Sequence, residues 1–176
     1  MEKNPENIYL VGLMGAGKTT IGRSLAKRLQ LGFVDTDKEI EARTGVSIPT
    51  IFEIEGEDGF RKREAQIIAE YAATSGLVVA TGGGAVLRPE NRENMKSSGF
   101  VIYLNVPPQT LWERTRHDRN RPLLQVADPL LKLNQLFAIR DPLYREVAHL
   151  IVDGSRMSAQ GVLQYLLREV EKRWKP

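Results

Sequence analysis

The sequence contains no cysteine, so neither a disulfide framework nor a thiolate metal site is available to it. Histidine is nearly as scarce: His117 and His149 stand far apart in the chain, and we expect packing or surface roles for both. No apolar run approaches the roughly 20 residues that a membrane-spanning helix needs. These absences argue against a disulfide-stapled secreted domain, a cysteine and histidine metal centre and a membrane protein.

An excess of charge of either sign is also lacking. The 25 basic and 22 acidic residues give a formal net charge of +3 and are spread along the chain, which does not indicate a nucleic-acid partner. The small positive balance suits both an enzyme for anionic small molecules and an ordinary soluble surface. Met1–Pro5 carries charges and a proline where a secretory leader needs an apolar core, so we expect a cytoplasmic protein.

What the 176 residues do contain is an alternation of short apolar runs and helix-periodic stretches. This alternation predicts one α/β domain over 1–176, built on a parallel sheet. Nothing in the sequence suggests an obligate interface, so we expect a monomer. The five predicted strands are Ile8–Gly12, Gly32–Asp35, Leu77–Ala80, Phe100–Asn105 and Leu150–Asp153.

Two connections are too long or too polar for simple crossovers. More than forty residues separate Asp35 from Leu77, and this connection predicts a substrate-binding segment at about 36–63. The stretch Arg114–Gln125 holds four arginines and the helix-stopping pair Arg121-Pro122, which predicts a mobile lid at about 114–126. A solvated helix face is the alternative for these arginines.

The first predicted strand leads into the spacing Gly12-x-x-x-x-Gly17-Lys18-Thr19, which is typical of a P-loop. Glycines let backbone N–H groups approach a polyphosphate, a helix N-terminus adds free donors, and the lysine reaches the outer phosphates. We therefore predict that the chain binds a nucleotide with Mg²⁺. The predicted phosphate-binding residues are Gly15, Ala16, Gly17, Lys18, Thr19 and Thr20.

A P-loop needs a carboxylate near its metal, and Asp35 and Asp153 each end an apolar strand. We favour Asp35 as the carboxylate near the metal, because Asp37 follows two residues later. One carboxylate of such a pair can bind water of the metal's hydration shell while the other binds a substrate hydroxyl. An N-terminal cap for the next helix is the alternative for Asp35 and Asp37.

Three further features are ambiguous by themselves. Gly82-Gly83-Gly84 predicts close passage of a substrate or phosphate, or else a tight turn. Arg61 and Glu64 form either a surface ion pair or an oriented anion-binding arginine. Arg140 lies near a predicted helix end, where a solvated arginine is equally ordinary.

Five motifs, taken together and in order, resemble the shikimate kinase family. They are Gly-Leu-Met-Gly-Ala-Gly-Lys-Thr-Thr-Ile-Gly-Arg, Phe-Val-Asp-Thr-Asp, Phe-Arg-x-x-Glu, Thr-Gly-Gly-Gly and Arg-Pro-Leu-Leu. The resemblance implies a three-layer P-loop kinase, similar to nucleoside-monophosphate kinases, with a five-stranded parallel sheet, a substrate-binding segment and a lid. It implies transfer of the ATP γ-phosphoryl group to the 3-hydroxyl of shikimate, within aromatic amino-acid biosynthesis.

By the same resemblance, Asp37 contacts the substrate hydroxyls and accepts the proton, and Glu64 orients Arg61. The rest of shikimate, including its carboxylate, is held by Arg61, Arg140 and the backbone of Gly82, Gly83 and Gly84.

On the nucleotide side, the resemblance assigns Lys18 and Arg121 to the ATP phosphates, Thr19 to Mg²⁺, and Asp35 to the metal through water. Arg114 and Arg156 flank the adenine, although the loop around Arg156 matches the family least well.

Two alternatives stay open on the residues alone. One is another small-metabolite kinase such as a gluconate kinase, whose acceptor also carries a carboxylate. The other is a P-loop binding or regulatory module without chemistry, which would have no need of Asp37, Arg61 and Arg140.

Overall fold

The structure, a computed structural model, describes residues 6–174. The stretch Met1–Pro5, on which the expectation of no leader depends, lies outside the described residues. The elements in chain order are β1 (Asn7–Val11), α1 (Lys18–Leu29), β2 (Gly32–Asp35), α2 (Thr36–Thr44), α3 (Ile48–Ala72), β3 (Leu77–Ala80), α4 (Pro89–Ser98), β4 (Gly99–Asn105), α5 (Pro108–Thr115), a 3₁₀ helix (Pro122–Leu124), α6 (Pro129–Val147), β5 (Leu150–Asp153) and α7 (Ala159–Arg173).

The predicted five-stranded parallel sheet is confirmed, with strand order β2-β3-β1-β4-β5. Three predicted strands match the observed bounds, and β1 and β4 each begin one residue earlier than predicted. Every residue of β1 is buried, so helices cover both faces of the sheet at its centre and the domain has three layers, whereas Ile151 and Asp153 of the edge strand β5 are exposed. Within residues 6–174 no helix combines the length and the apolar character needed to cross a bilayer.

Apolar side chains form two clusters. The larger one surrounds β1, β3 and β4 and takes in the buried stripes of α1 and α7. The smaller one joins α2 to α3 through Ile40, Ile48, Ile51, Phe60 and Ile67. The second cluster fixes the long connection after β2 against the edge of the main core, so this connection has its own packing rather than being a loose loop.

The predicted substrate-binding segment consists of α2 and the first half of α3. Gly45 ends α2 in a left-handed conformation, and Ser47 caps α3 by accepting a hydrogen bond from the N–H of Thr50. The predicted break around Gly45 and Pro49 is therefore present. A second break was not predicted: Gly56 adopts φ 73° and ψ 178° and interrupts α3.

The predicted lid begins in the last turn of α5 and includes the 3₁₀ helix. Asp118 organises it by accepting hydrogen bonds from the N–H of Asn120 (2.8 Å) and from Nε of Arg121 (3.2 Å). Arg121, the lid arginine predicted to contact the ATP phosphates, is thus held by Asp118, three residues earlier. The mobility of the segment stays a prediction.

Candidate active site

The loop between β1 and α1 has the backbone that the P-loop spacing predicts. Gly12, Gly15 and Gly17 adopt φ of 149°, 83° and 99°, values that side-chain-bearing residues rarely adopt. A Cβ atom at Gly12 would also lie 2.7 Å from the carbonyl oxygen of Leu104. The glycines are therefore required both for conformation and for space.

The start of α1 carries free backbone donors. The N–H of Ile21 donates to the carbonyl of Gly17 (2.9 Å), whereas within the described chain no acceptor is found for the N–H groups of Lys18, Thr19 and Thr20. Free N–H groups at a helix N-terminus form an anion-binding site. This is the phosphate cradle that the motif predicts.

Lys18 is buried beside this cradle, and no carboxylate in the described chain lies within ion-pair distance of it, although Asp37 and Asp35 are near enough to raise its pKa. Its Nζ donates to the carbonyl oxygens of Gly12 and Leu13, the latter at 2.9 Å. Burial lowers the pKa of Lys18 to about 7, and the positive charge of Arg121 acts in the same direction. The site is thus electrostatically prepared for a polyphosphate, whose charge would restore the ammonium form.

Asp35 contacts Thr19 of the P-loop and also caps α2, so the metal role and the capping role considered for it are compatible. One oxygen accepts a hydrogen bond from Oγ1 of Thr19 at 2.7 Å, and the other accepts from the N–H of Lys38 at 3.2 Å. Asp153 instead accepts from the N–H (3.0 Å) and hydroxyl (2.5 Å) of Ser155 in a local turn. The choice of Asp35 over Asp153 agrees with this geometry.

This arrangement fits Mg²⁺ bound mainly through phosphate and water. No group of three or more histidine, aspartate or glutamate side chains that could hold a metal ion occurs within residues 6–174. Magnesium in nucleotide sites keeps several waters and uses few protein ligands. The Thr19 hydroxyl and the Asp35 carboxylate are groups of the chemistry that such a site needs.

The phosphate cradle lines one cavity, and a second cavity beside it shares Asp37, Gly82, Gly83 and Arg121 with the first. We call the second cavity the acceptor pocket. It is lined by Met14, Asp37, Ile48, Phe52, Phe60, Arg61, Glu64, Gly82, Gly83, Gly84, Asn120, Arg121, Pro122, Leu123 and Arg140. All the residues predicted to hold the substrate are therefore brought together here.

Arg61 and Glu64 form a buried pair in this pocket, so the surface ion pair does not apply. Nη1 of Arg61 donates to Oε1 of Glu64 at 3.0 Å, and the two residues are 8% and 0% exposed. Burial raises the pKa of Glu64 to about 7 although Arg61 opposes the shift. Arg140 is 3% exposed, so a solvated role is excluded for it too.

Several polar atoms in the pocket have no hydrogen-bond partner. They are Oδ1 of Asp37, Nε of Arg61, Oε2 of Glu64 and Nη1 of Arg140. Burial also raises the pKa of Asp37, as does the negative charge of Asp35. Buried polar groups without partners are costly, so this cluster indicates a polar ligand with both hydroxyl and anionic groups.

The triple glycine forms a turn, in which the N–H of Ala85 donates to the carbonyl of Gly82, and it lies close to side chains of the acceptor pocket. A Cβ atom at Gly82 would lie 2.6 Å from Oδ1 of Asp37, and one at Gly84 would overlap the guanidinium of Arg61. The groups that pass close to this backbone are thus the protein's own acceptor side chains. The glycines make room for Asp37 and Arg61 before any ligand arrives.

A third cavity, beside the P-loop and next to the last strand, has the predicted nucleotide-base residue Arg114 in its wall. Nη1 of Arg114 donates to the carbonyl of Gly15 at 3.0 Å, which holds the side chain against the loop. Ala16 and Met157 also line this cavity. Arg156 is exposed and is not among the residues that line this cavity, so its contact with the adenine stays a prediction.

Sequence reasoning missed the apolar walls and the outer supports of the acceptor pocket. Phe60 and Pro122 stood beside predicted residues and could have been found, whereas Phe52 gave no signal. Tyr144, fully buried, donates its hydroxyl proton to the carbonyl of Gly83. Glu57 accepts from Nη2 of Arg61 at 3.2 Å.

As expected, His149 is a packing residue, since its Nδ1 accepts from the N–H of Val101.

Comparison with known proteins agrees with this site. The shikimate kinase family model matches residues 14–171. The chain is 66% identical to a shikimate kinase from Dechloromonas aromatica, over 94% of this chain and 91% of that protein. It is 61% identical to a shikimate kinase from Aromatoleum aromaticum, over 94% and 92% of the two chains.

Among solved structures, the shikimate kinase from Acinetobacter baumannii in complex with shikimate superposes with a TM-score of 0.93. It is 50% identical in sequence, and the match covers 96% of this chain and 94% of that one. The chain thus combines a P-loop and a neighbouring acceptor pocket with sequence similarity to shikimate kinases over nearly its whole length. The chain belongs to the shikimate kinase family.

Proposed function

We propose that this protein transfers the γ-phosphoryl group of ATP to the 3-hydroxyl of shikimate, giving shikimate 3-phosphate and ADP. The observation that carries the proposal is the continuity of the two cavities: Asp37, Gly82, Gly83 and Arg121 belong to both. A hydroxyl in the acceptor pocket can therefore face a phosphate in the P-loop without moving between sites. The shikimate-bound relative supports the choice of acceptor.

The acceptor's carboxylate binds to Arg61 and Arg140, the two buried cations of the pocket. Glu64 orients Arg61 through the 3.0 Å hydrogen bond, and the lack of a side chain at Gly84 gives Arg61 its space. Phe52 and Phe60 form the apolar wall against the carbon ring. A planar guanidinium suits this task because it presents parallel donors to a carboxylate.

Asp37 receives the reacting hydroxyl. Its unpartnered Oδ1 can accept the hydroxyl's hydrogen bond, which aims the oxygen lone pair at the phosphorus. Because phosphoryl transfer passes through a loose transition state, the proton leaves late. Asp37 therefore contributes more by orienting the hydroxyl than by removing its proton early.

The donor half of the reaction depends on positioning and charge. The P-loop residues Gly15 to Thr20 hold the phosphates, Lys18 contacts their outer oxygens, and Arg121 closes on them from the lid. Arg114 lines the adenine cavity. Charge spreads over the transferring oxygens in the transition state, and cations fixed around it stabilise that charge.

Mg²⁺ is the proposed metal. When bound, it neutralises phosphate charge and orients the transferred group. Thr19 would hold it directly through its hydroxyl, and Asp35 would hold it through water. The 2.7 Å hydrogen bond between Thr19 and Asp35 keeps both groups at the same side of the P-loop.

We also propose that the whole chain 1–176 is a single kinase domain and a cytoplasmic monomer. Segment 36–63 carries Asp37 and Arg61, and segment 114–126 carries Arg114 and Arg121. Closure of the latter over the phosphates would exclude water and suppress ATP hydrolysis. Light scattering of the purified protein tests the monomer, and an ATPase rate without acceptor as fast as the kinase rate would contradict the closure.

The deciding experiment is a coupled ADP-release assay with shikimate, gluconate and nucleoside monophosphates as acceptors. We expect turnover with shikimate alone. Turnover confined to gluconate would replace the proposed acceptor, and turnover with none would favour a nucleotide-binding module. Arg61→Ala is the control, and it should raise the KM for shikimate far more than the KM for ATP.

A further inference from the structure

Arg61 has one more carboxylate partner than its orientation requires. Glu64, three residues later, holds Nη1 from the buried side. Glu57, four residues earlier, holds Nη2 at 3.2 Å, and its own side chain is 47% exposed. The two acids differ in environment: Glu64 is fixed inside the protein, whereas Glu57 reaches in from the solvent side.

The position of Glu57 on the guanidinium is informative. Nε and Nη2 lie on one edge of an arginine side chain and together form the fork that binds a carboxylate with two parallel hydrogen bonds. In Arg61 this edge is half used: Nη2 donates to Glu57, and Nε is buried without a partner. Glu57 therefore occupies, with one oxygen, the edge that a bidentate carboxylate would take.

The charges around the two pocket arginines are uneven. Arg61 has two carboxylates within ion-pair distance, whereas no carboxylate in the described chain lies that close to Arg140. Asp37 adds a further negative charge to the same pocket. An acceptor carboxylate that binds Arg61 must compete with the two acids already paired with this guanidinium. Glu57 is the one that can be solvated outside the pocket.

The backbone next to Glu57 permits such a withdrawal. Gly56, the preceding residue, is non-helical and separates Ile48–Glu55 from the rest of α3. A Cβ atom at Gly56 would meet nothing within 4 Å, so the link is open on that side. The part of α3 before this link includes Phe52, which lines the acceptor pocket.

We propose that Glu57 is a placeholder for the acceptor's carboxylate: it pairs with Arg61 while the pocket is empty and is displaced when a carboxylated acceptor binds. Glu57 thereby sets the affinity for the acceptor and keeps the unpaired Arg61 fork from binding other anions. This inference rests on the proposed acceptor chemistry, because it requires a carboxylate at Arg61.

The test is Glu57→Gln, which keeps the side-chain shape and removes the competing charge. We expect the KM for shikimate to fall by about two- to fivefold, the factor that corresponds to breaking a partly exposed ion pair. The gain should appear in KM for the acceptor and not in KM for ATP. With a carboxamide analogue of shikimate as the competing ligand, the same variant should show no gain in binding.

The matched control is Glu53→Gln, four residues earlier and in the part of α3 that precedes Gly56. Glu53 is exposed, and no ion pair or hydrogen bond of its carboxylate is found in the described structure. The same change in net charge at Glu53 should alter the KM for shikimate by less than about 1.5-fold, because exposed charges at a distance are screened.

Three results would overturn the proposal. A higher KM for Glu57→Gln would mean that Glu57 helps to hold Arg61, an unchanged KM would mean that it does not compete, and an equal fall in Glu53→Gln would mean a general charge effect. All three presuppose that the unaltered enzyme phosphorylates shikimate, so loss of the proposed function itself would be recognised separately.

Discussion

Arg61 places its guanidinium against the backbone of Gly84, in the space that the Cβ atom of any other residue would occupy. None of Gly82, Gly83 and Gly84 has a positive φ, so these glycines are needed for space and not for conformation. The acceptor arginine and the turn after β3 therefore depend on each other.

The first prediction is a graded effect of alanine along this turn. A Cβ atom overlaps Arg61 at Gly84, lies 2.6 Å from Asp37 at Gly82, and lies 3.4 Å from Arg140 at Gly83. We expect the KM for shikimate to rise in the order Gly83→Ala, Gly82→Ala, Gly84→Ala, by about tenfold or more for the last, as for loss of a charge-assisted hydrogen bond. Equal effects at all three positions would show that the close contacts are not what limits substitution.

The second prediction concerns Asp37→Asn. The amide keeps the shape but loses the carboxylate that receives the reacting hydroxyl, so kcat should fall by about 10²- to 10⁴-fold. The affinity for ADP, measured by calorimetry, should change little. Nearly full turnover at saturating shikimate would mean that Asp37 neither orients the hydroxyl nor takes its proton.

The third prediction is proton uptake on nucleotide binding. Burial and Arg121 lower the pKa of Lys18 to about 7 in the empty site. At about pH 8 the lysine is therefore largely neutral, and bound phosphates will raise its pKa and return the proton. Calorimetry of ADP binding in buffers of different ionisation enthalpy should show net uptake at pH 8 and little at pH 6.

The lowered pKa of Lys18 also predicts the direction in which the free energy of unfolding changes with pH. Because the folded-state pKa lies below the unfolded value of 10.5, folding releases a proton between about pH 7 and 10.5, so the Lys18 contribution to unfolding free energy increases with pH there. Lys18→Met should remove this contribution. Lys18→Met also tests the third prediction: if this variant still takes up a proton on ADP binding as the unaltered protein does, the uptake belongs to another group.

The fourth prediction concerns Tyr144, whose buried hydroxyl donates to the carbonyl of Gly83 and whose ring packs on Tyr103 at 4.8 Å. Tyr144→Phe keeps the ring and removes the hydrogen bond, so the glycine turn loses one support. We expect a threefold to tenfold higher KM for shikimate, about the value of one buried hydrogen bond, with KM for ATP unchanged.

Tyr165→Phe is the control for this change, since Tyr165 packs on the core and no hydrogen bond of its hydroxyl is found among the described residues. It should leave both KM values as they are. If Tyr144→Phe raised the two KM values equally, its hydroxyl would support the fold in general and not the acceptor pocket.

The sequence by itself determined the fold class, the five strands and the P-loop. Strands buried on both faces are continuously apolar, and a phosphate loop has fixed local spacing, so both can be recognised without knowledge of distant contacts. Motif order was also enough to indicate the family. Even the lid arginine Arg121 was marked by its neighbour Pro122.

Tertiary structure decided the questions that depend on which distant residues meet. β2 and β5 each lie two strands from β1, so strand order does not choose between Asp35 and Asp153; the packing of α1 against β2 and β3 does, and Thr19 meets Asp35. Burial of Glu64, invisible in an i, i+3 spacing, turned a possible surface pair into an anchor for Arg61.

The triple glycine shows the same limit most clearly. Local sequence indicates that something lies close to Gly82, Gly83 and Gly84, but the neighbours come from α2, α3 and α6. Only folding brings Asp37, Arg61 and Arg140 to this turn, because each is fixed by the packing of its own helix. The P-loop could thus be identified from the chain alone, whereas the acceptor pocket exists only in the assembled core.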